Sequence, residues 1–73
     1  MNKKLIEISI TSEYITLGQF LRYSDIIQSG GEAKSFLASH KVLVNGEEDN
    51  RRGRKLRDGD EVIIMNQTYR ITR

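Results

Sequence analysis

The chain has no cysteine, no proline and no tryptophan among its 73 residues. Without cysteine there is no disulfide staple, no thiolate nucleophile and no thiolate metal ligand, so so short a chain must hold together by packing alone. There is one histidine, His40, and no nucleophile elbow, Gly-x-x-x-x-Gly-Lys phosphate loop or His-Glu-x-x-His pair. His40 falls at an expected helix end, where a capping or surface role helped by the helix dipole is the plain reading. Catalysis is not expected, and neither a cofactor nor a metal is implied. Long apolar runs are missing too: Glu7 interrupts the stretch after Lys3 and Lys4 within two residues, and nothing is long enough to span a bilayer. A cytoplasmic protein is the default expectation.

What is present fits one small domain over residues 1–73, expected to be a monomer. Hydrophobic residues make up 37% of the chain and charged residues 30%, as in an ordinary folded domain. A chain this short buries one core and has no room for a deep, walled cavity. The formal net charge is only +2, so the arrangement of charge matters more than its sum. Five of the seven residues at 51–57 are basic, flanked by Glu47, Glu48 and Asp49 on one side and Asp58, Asp60 and Glu61 on the other. Consecutive carboxylates on a strand point alternately to opposite faces. The first acidic group therefore reads as an edge that discourages aggregation rather than as a cation site.

Ile6, Ile8 and Ile10 alternate with Glu7, Ser9 and Thr11, which predicts an N-terminal strand over 5–11. Thr16 with Gln19 makes a capping-box pattern, and Leu17, Phe20 and Leu21 follow at helical spacing, predicting a first helix to about Tyr23. Ser29 with Glu32 repeats the pattern, and Ala33, Phe36 and Leu37 supply the apolar stripe of a second helix ending near Ser39 or His40. The short connection at 24–28 makes the two a helix-turn-helix-like pair, with Ile26 and Ile27 joining the core. A strand at 42–44, a reversal at Asn45-Gly46, a turn at Asp58-Gly59-Asp60, a strand at 62–65, a weaker turn at Gln67-Thr68 and a last strand through Tyr69 and Ile71 follow. The predicted class is α+β, two short helices packed on a small antiparallel sheet.

The segment Asn50-Arg51-Arg52-Gly53-Arg54-Lys55 stands out chemically. Guanidinium groups match phosphate oxygens bidentately and stay charged at any relevant pH, and a central glycine lets backbone approach a ligand. On charge density alone, a solvated loop balanced by its acidic neighbours is an equal reading. Gly30 and Gly31, at the start of the second helix, offer unpaired N–H groups and the positive dipole end as a phosphate seat, with a simple flexible helix start as an equal reading. Lys34, Lys41 and Arg22 would extend the positive stripe. Phe20, Phe36 and Tyr69 read as core, leaving Tyr14 and Tyr23 as candidates for base stacking, with rim packing the plainer role for each. Together these features point to recognition of a phosphate backbone and of its shape more than to stacking of single-stranded bases.

The runs Thr16-Leu17-Gly18-Gln19-Phe20-Leu21, Ser29-Gly30-Gly31-Glu32-Ala33-Lys34, Val42-Leu43-Val44-Asn45-Gly46 and Arg54-Lys55-Leu56-Arg57-Asp58-Gly59-Asp60-Glu61-Val62 resemble the S-four RNA-binding domain, over about residues 15–65. The match is closest to the free-standing bacterial YaaA-like type. The resemblance implies a fold with an αL-type RNA-binding motif. It also implies RNA-facing roles for Ser29, Lys34 and Lys41 and for the loop residues Arg51, Arg52, Arg54 and Lys55. Many members carry arginine where this chain has Leu17 and Gly30, which shifts the expected contact toward the loop. By analogy the expected partner is ribosomal RNA in large-subunit assembly, with transfer RNA or stalled-ribosome binding, or an adaptor docking an acidic protein, as alternatives.

Overall fold

The computed structural model describes residues 4–73, so Lys3 lies outside the described residues. The class is α+β. The elements run β1 (Leu5–Ser9), β2 (Ile15–Thr16), α1 (Leu17–Tyr23), α2 (Glu32–Ser39), β3 (Val42–Val44), β4 (Glu47–Glu48), β5 (Lys55–Leu56), β6 (Glu61–Ile64) and β7 (Gln67–Thr72). Five strands form one sheet in the order β1-β7-β6-β3-β4, and β2 with β5 forms a separate two-stranded ladder.

The sheet is mixed rather than antiparallel throughout, because β1 lies parallel to β7. Alternating isoleucines mark β1 as a strand but carry no information about the direction of its neighbour. The strand also ends at Ser9, earlier than the expected 5–11, although the Ile10 N–H still donates to the Thr72 carbonyl at 2.8 Å. The remaining pairs are antiparallel, with Val42 opposite Ile64 and Val44 opposite Val62, so the period-2 apolar positions of neighbouring strands meet on one face.

Both tight hairpins turn through left-handed backbone. At the first, Asn45 and Gly46 have φ of 51° and 87°, as their sequence suggests. The second lies at Met65 and Asn66, with φ of 49° and 70°, and not at Gln67-Thr68, which open β7. Met65 is an uncommon residue for this backbone region, which is why the turn escapes notice in the sequence.

Helix α1 starts as its sequence specifies. The Gln19 N–H donates to Thr16 Oγ1 at 3.2 Å and the Thr16 N–H donates to Gln19 Oε1 at 2.9 Å, a complete capping box. Helix α2 does not repeat it. Its N-cap is Gly31 without a side-chain bond, and Ser29 stands two residues further back. Only half of the motif survives: Glu32 Oε1 accepts from the N–H groups of Gln28 and Ser29, both at 2.9 Å. An extra turn at Gly30 and Gly31, in which the Glu32 N–H donates to the Ser29 carbonyl, delays the helix.

Leu17, Phe20 and Leu21 of α1 and Ala33 and Leu37 of α2 are buried against Val42, Val44, Val62, Ile64 and Ile71 of the sheet, with Ile10, Ile27 and Leu56 closing the core. Phe20 meets Tyr69 edge to face at 5.2 Å. Phe36, expected in the core, lies half-buried at its rim in the last turn of α2, stacked on His40 at 4.1 Å.

Candidate nucleic-acid interface

The basic loop lies against α1 because that helix needs acceptors for its first N–H groups. Leu17 N–H donates to the Arg54 carbonyl at 2.7 Å and Gly18 N–H to the Arg52 carbonyl at 2.9 Å, while Thr16 takes the next. A Cβ at position 18 would stand 3.3 Å from the Arg52 carbonyl oxygen, 3.4 Å from Arg52 Cβ and 3.6 Å from Ala33 Cβ. Glycine at 18 thus lets the loop and α2 both close onto α1. Arg54 N–H donates to the Arg51 carbonyl at 3.1 Å, which folds Arg52 and Gly53 into a tight turn.

This docking leaves an open groove of about 670 Å³, flanked by Arg22 of α1, Arg52 of the loop and Gly30 before α2, and floored by Gly18 and Ala33. Arg22 and Arg52 are exposed, and among the described residues neither guanidinium has a hydrogen-bond or ion-pair partner. A Cβ at Gly30 would meet nothing within 4 Å, so the groove wall there is bare backbone. The expected anion seat at Gly30 and Gly31 is modified in one respect: the Glu32 carboxylate already occupies the neighbouring N–H groups of Gln28 and Ser29 and bonds Ser29 Oγ at 3.3 Å.

The other basic residues are distributed around the loop. The Arg51 guanidinium is bidentate on Asp49, with Nε to Oδ1 at 3.1 Å and Nη2 to Oδ2 at 2.8 Å, and the Arg51 N–H also donates to Oδ1 at 2.9 Å. The hydrogen bond from the Arg51 side chain is the main reason that the Asp49 carboxyl is held down to about 2. Arg54 is half-buried, and its Nε is buried with no partner. Beyond the groove, Arg51, Arg54, Lys55 and Arg57 line another open hollow with Asp58 and Asp60. Those two carboxylates brace turns: Asp60 accepts from the Arg57 N–H at 2.8 Å and Asp58 from the Arg73 N–H at 3.1 Å. Lys34 is exposed on α2 and does not line the groove, and Lys41 follows α2 beside Glu48 and Asp49.

Arg57, which the sequence reading did not count among the candidates for phosphate contact, enters here together with Tyr14, a ring that seats cations. Lys55 Nζ lies 5.0 Å and Arg57 Cζ 5.5 Å from the centre of the Tyr14 ring, a cation–π cluster built where β2 meets β5. Arg57 belongs to the same basic run, which is the signal for it; nothing in the sequence joins Tyr14 to that run. Among the described residues no helix is long and apolar enough to cross a membrane, and no group of three or more potential ligands is placed to hold a metal ion.

Comparison with known proteins bears on the whole fold. A protein from Bacillus subtilis described as "Probable ribosome maturation protein RlbA" is 68% identical over 57 residues, which cover 78% of this chain and 80% of that protein. The S4 domain family model matches residues 8–72, from within β1 to the last residue of β7. Since the match takes in both helices, the basic loop docked on α1 and every hairpin, the family is carried by the entire architecture and not by the hairpin motif alone: this chain belongs to the S4 domain family.

Proposed function

We propose that the protein binds structured RNA without transforming it, and that its ligand is ribosomal RNA during maturation of the ribosome, most specifically of the large subunit, in the cytoplasm. The helix pair and the adjoining loop act as an αL-type RNA-binding motif. Arg22 and Arg52 grip phosphates across the groove, Arg54 and Lys55 extend the contact over the loop, and Gly30, Gly31 and Ser29 admit the sugar-phosphate backbone close to the start of α2. Lys34 and Lys41 add attraction at the margins.

The observation that carries this reading is the groove itself: two unpaired guanidinium groups face a wall of bare glycine backbone, and the loop that bears one of them is fixed to the first turn of α1. Such a site suits a polyanion of defined shape better than a small ligand, because it is open and its specific donors are spread along it. Membership of the S4 domain family supports RNA as the polyanion, and the description of the Bacillus relative supports ribosome maturation as the setting.

Titration of folded ribosomal RNA fragments over a salt series tests it. If about four phosphates are neutralised, log affinity falls against log salt with a slope of roughly −3 to −4. Changing Arg51, Arg52, Arg54 and Lys55 together to alanine should flatten that slope and weaken binding at every salt concentration. An unchanged affinity removes the assignment. In lysate, the protein should sediment with large-subunit precursors and be released by ribonuclease; release that fails would favour a protein partner.

A further inference from the structure

Beside the cationic groove, and sharing Gln19 and Tyr23 with it, lies a second hollow between the segment joining β1 to β2 and the exposed face of α1. Its character is different. Tyr14 and Tyr23 stand at its walls with Ile10 and Ile15, and Glu13 is its one charged lining residue among the described residues. We infer that this hollow receives one unstacked nucleobase of the RNA, while the adjoining groove holds the phosphates on either side of it.

The inference rests on the RNA-binding function proposed above, and four observations support it. First, both tyrosines are open to a ligand, being 37% and 65% exposed, and exposed rings beside a phosphate-binding surface are the usual platform for a base. Second, the Tyr23 ring is tethered by its Oη, which donates to the Ser9 carbonyl at 3.1 Å, and the backbone that carries Tyr14 is fixed by Ser12 Oγ, which donates to the Tyr14 carbonyl at 2.8 Å. Third, Gln19 spends its Oε1 on the Thr16 N–H, and its Nε2 donates to nothing among the described residues, which leaves an amide donor at the boundary of the two hollows. Fourth, charge sorts the two parts of a nucleotide. Glu13 repels a phosphate from the tyrosine hollow and can accept from the amino group of a base. Arg22 and Arg52 on one side, with Lys55 and Arg57 beyond the Tyr14 ring, attract phosphates.

A single nucleotide therefore decides the test. The probes are an RNA hairpin with one bulged adenosine and the same hairpin with an abasic residue at the bulge, both titrated at one low salt concentration. Wild-type protein should bind the adenosine hairpin about ten-fold more tightly, the scale of one base stacked on an aromatic ring. Tyr14→Leu and Tyr23→Leu should each lower binding of the adenosine hairpin several-fold more than binding of the abasic hairpin, so that the preference shrinks even where loss of a ring beside Lys55 or the groove costs some phosphate contact, and circular dichroism shows that the variants are folded. Tyr23→Phe keeps the ring and should keep the preference. Arg52→Ala should weaken both hairpins alike. Equal binding of the two hairpins by wild type overturns the base hollow alone, and tyrosine variants that weaken both hairpins equally overturn it as well. Failure of wild type to bind either hairpin overturns the RNA-binding function and the hollow with it.

Discussion

Arg51 and Arg52 are sequence neighbours placed in opposite circumstances. Arg51 lies on Asp49 in a fork-to-carboxylate pair, whereas Arg52 faces the groove with its guanidinium unpaired. Asp49 thus stands where a phosphate would engage Arg51, and RNA must displace a tethered competitor to use that side chain. Asp49→Asn keeps an oxygen for the Arg51 N–H but removes the charge. The expected result is tighter RNA binding with a salt slope steeper by roughly one, the increment for one more neutralised phosphate. The same pair predicts a pH dependence of stability. Asp49 is lowered from 3.8 to about 2, chiefly by the Arg51 side-chain hydrogen bond. A carboxyl whose folded value is depressed stabilises the fold above its unfolded value, and that contribution disappears as pH falls through the folded one. Urea melts should show a constant difference between wild type and Asp49→Asn at pH above 3.8, shrinking toward pH 2.

The elements set the face, and α1 matters most among them. Its capping box orients the first turn, and that turn's N–H groups hold the loop by the carbonyls of Arg52 and Arg54. Thr16→Ala removes the side-chain half of the cap, at a cost of about 1 kcal/mol. In a domain of this size that lowers the melting temperature by roughly 4 to 8 °C, measurable by circular dichroism. Gly18→Val should do more, since branches on a Cβ already 3.3 Å from the Arg52 carbonyl push the loop away; both the urea midpoint and RNA affinity should fall. How far the sequence disclosed this face follows from which interactions are local. The helix α1, the Asn45-Gly46 hairpin and the buried stripe Leu17, Phe20 and Leu21 are written in short-range spacing, and the structure holds all of them. The β2–β5 ladder is two residues long on each side, too short to show any period, so the device that brings Tyr14 to Lys55 was invisible. The parallel partner of β1 lies more than sixty positions away in the chain, and local pattern cannot name it. Gly18 was legible as part of a motif but not as the point where the loop closes, because that depends on a non-local hydrogen bond.

At the scale of the molecule, the core and the cationic face draw on separate residues. The face is built mostly from exposed side chains of the loop and of the last turn of α1, beside the start of α2, and no charged residue is buried among the described residues. The core is the layer between helices and sheet, in which Ile71 is fully buried on β7, the strand that joins β1 to the rest. A domain of 73 residues has roughly 4 to 11 kcal/mol of stability in all. Ile71→Ala leaves a cavity that costs about 2 to 5 kcal/mol, a large share of that total. The separation predicts two distinct signatures. For Ile71→Ala the urea midpoint should drop sharply, and RNA affinity should fall only by the fraction of unfolded protein, with the salt slope of the folded remainder unchanged. For Arg22→Ala with Arg52→Ala the urea midpoint should stay within experimental scatter, because both side chains are exposed and unpaired, while the salt slope flattens by roughly two. Urea melts and salt titrations on the same preparations read both quantities. A double arginine variant that loses stability as well as slope would mean that the groove cations also hold the helices together, and the face would then be part of the fold rather than a surface laid upon it.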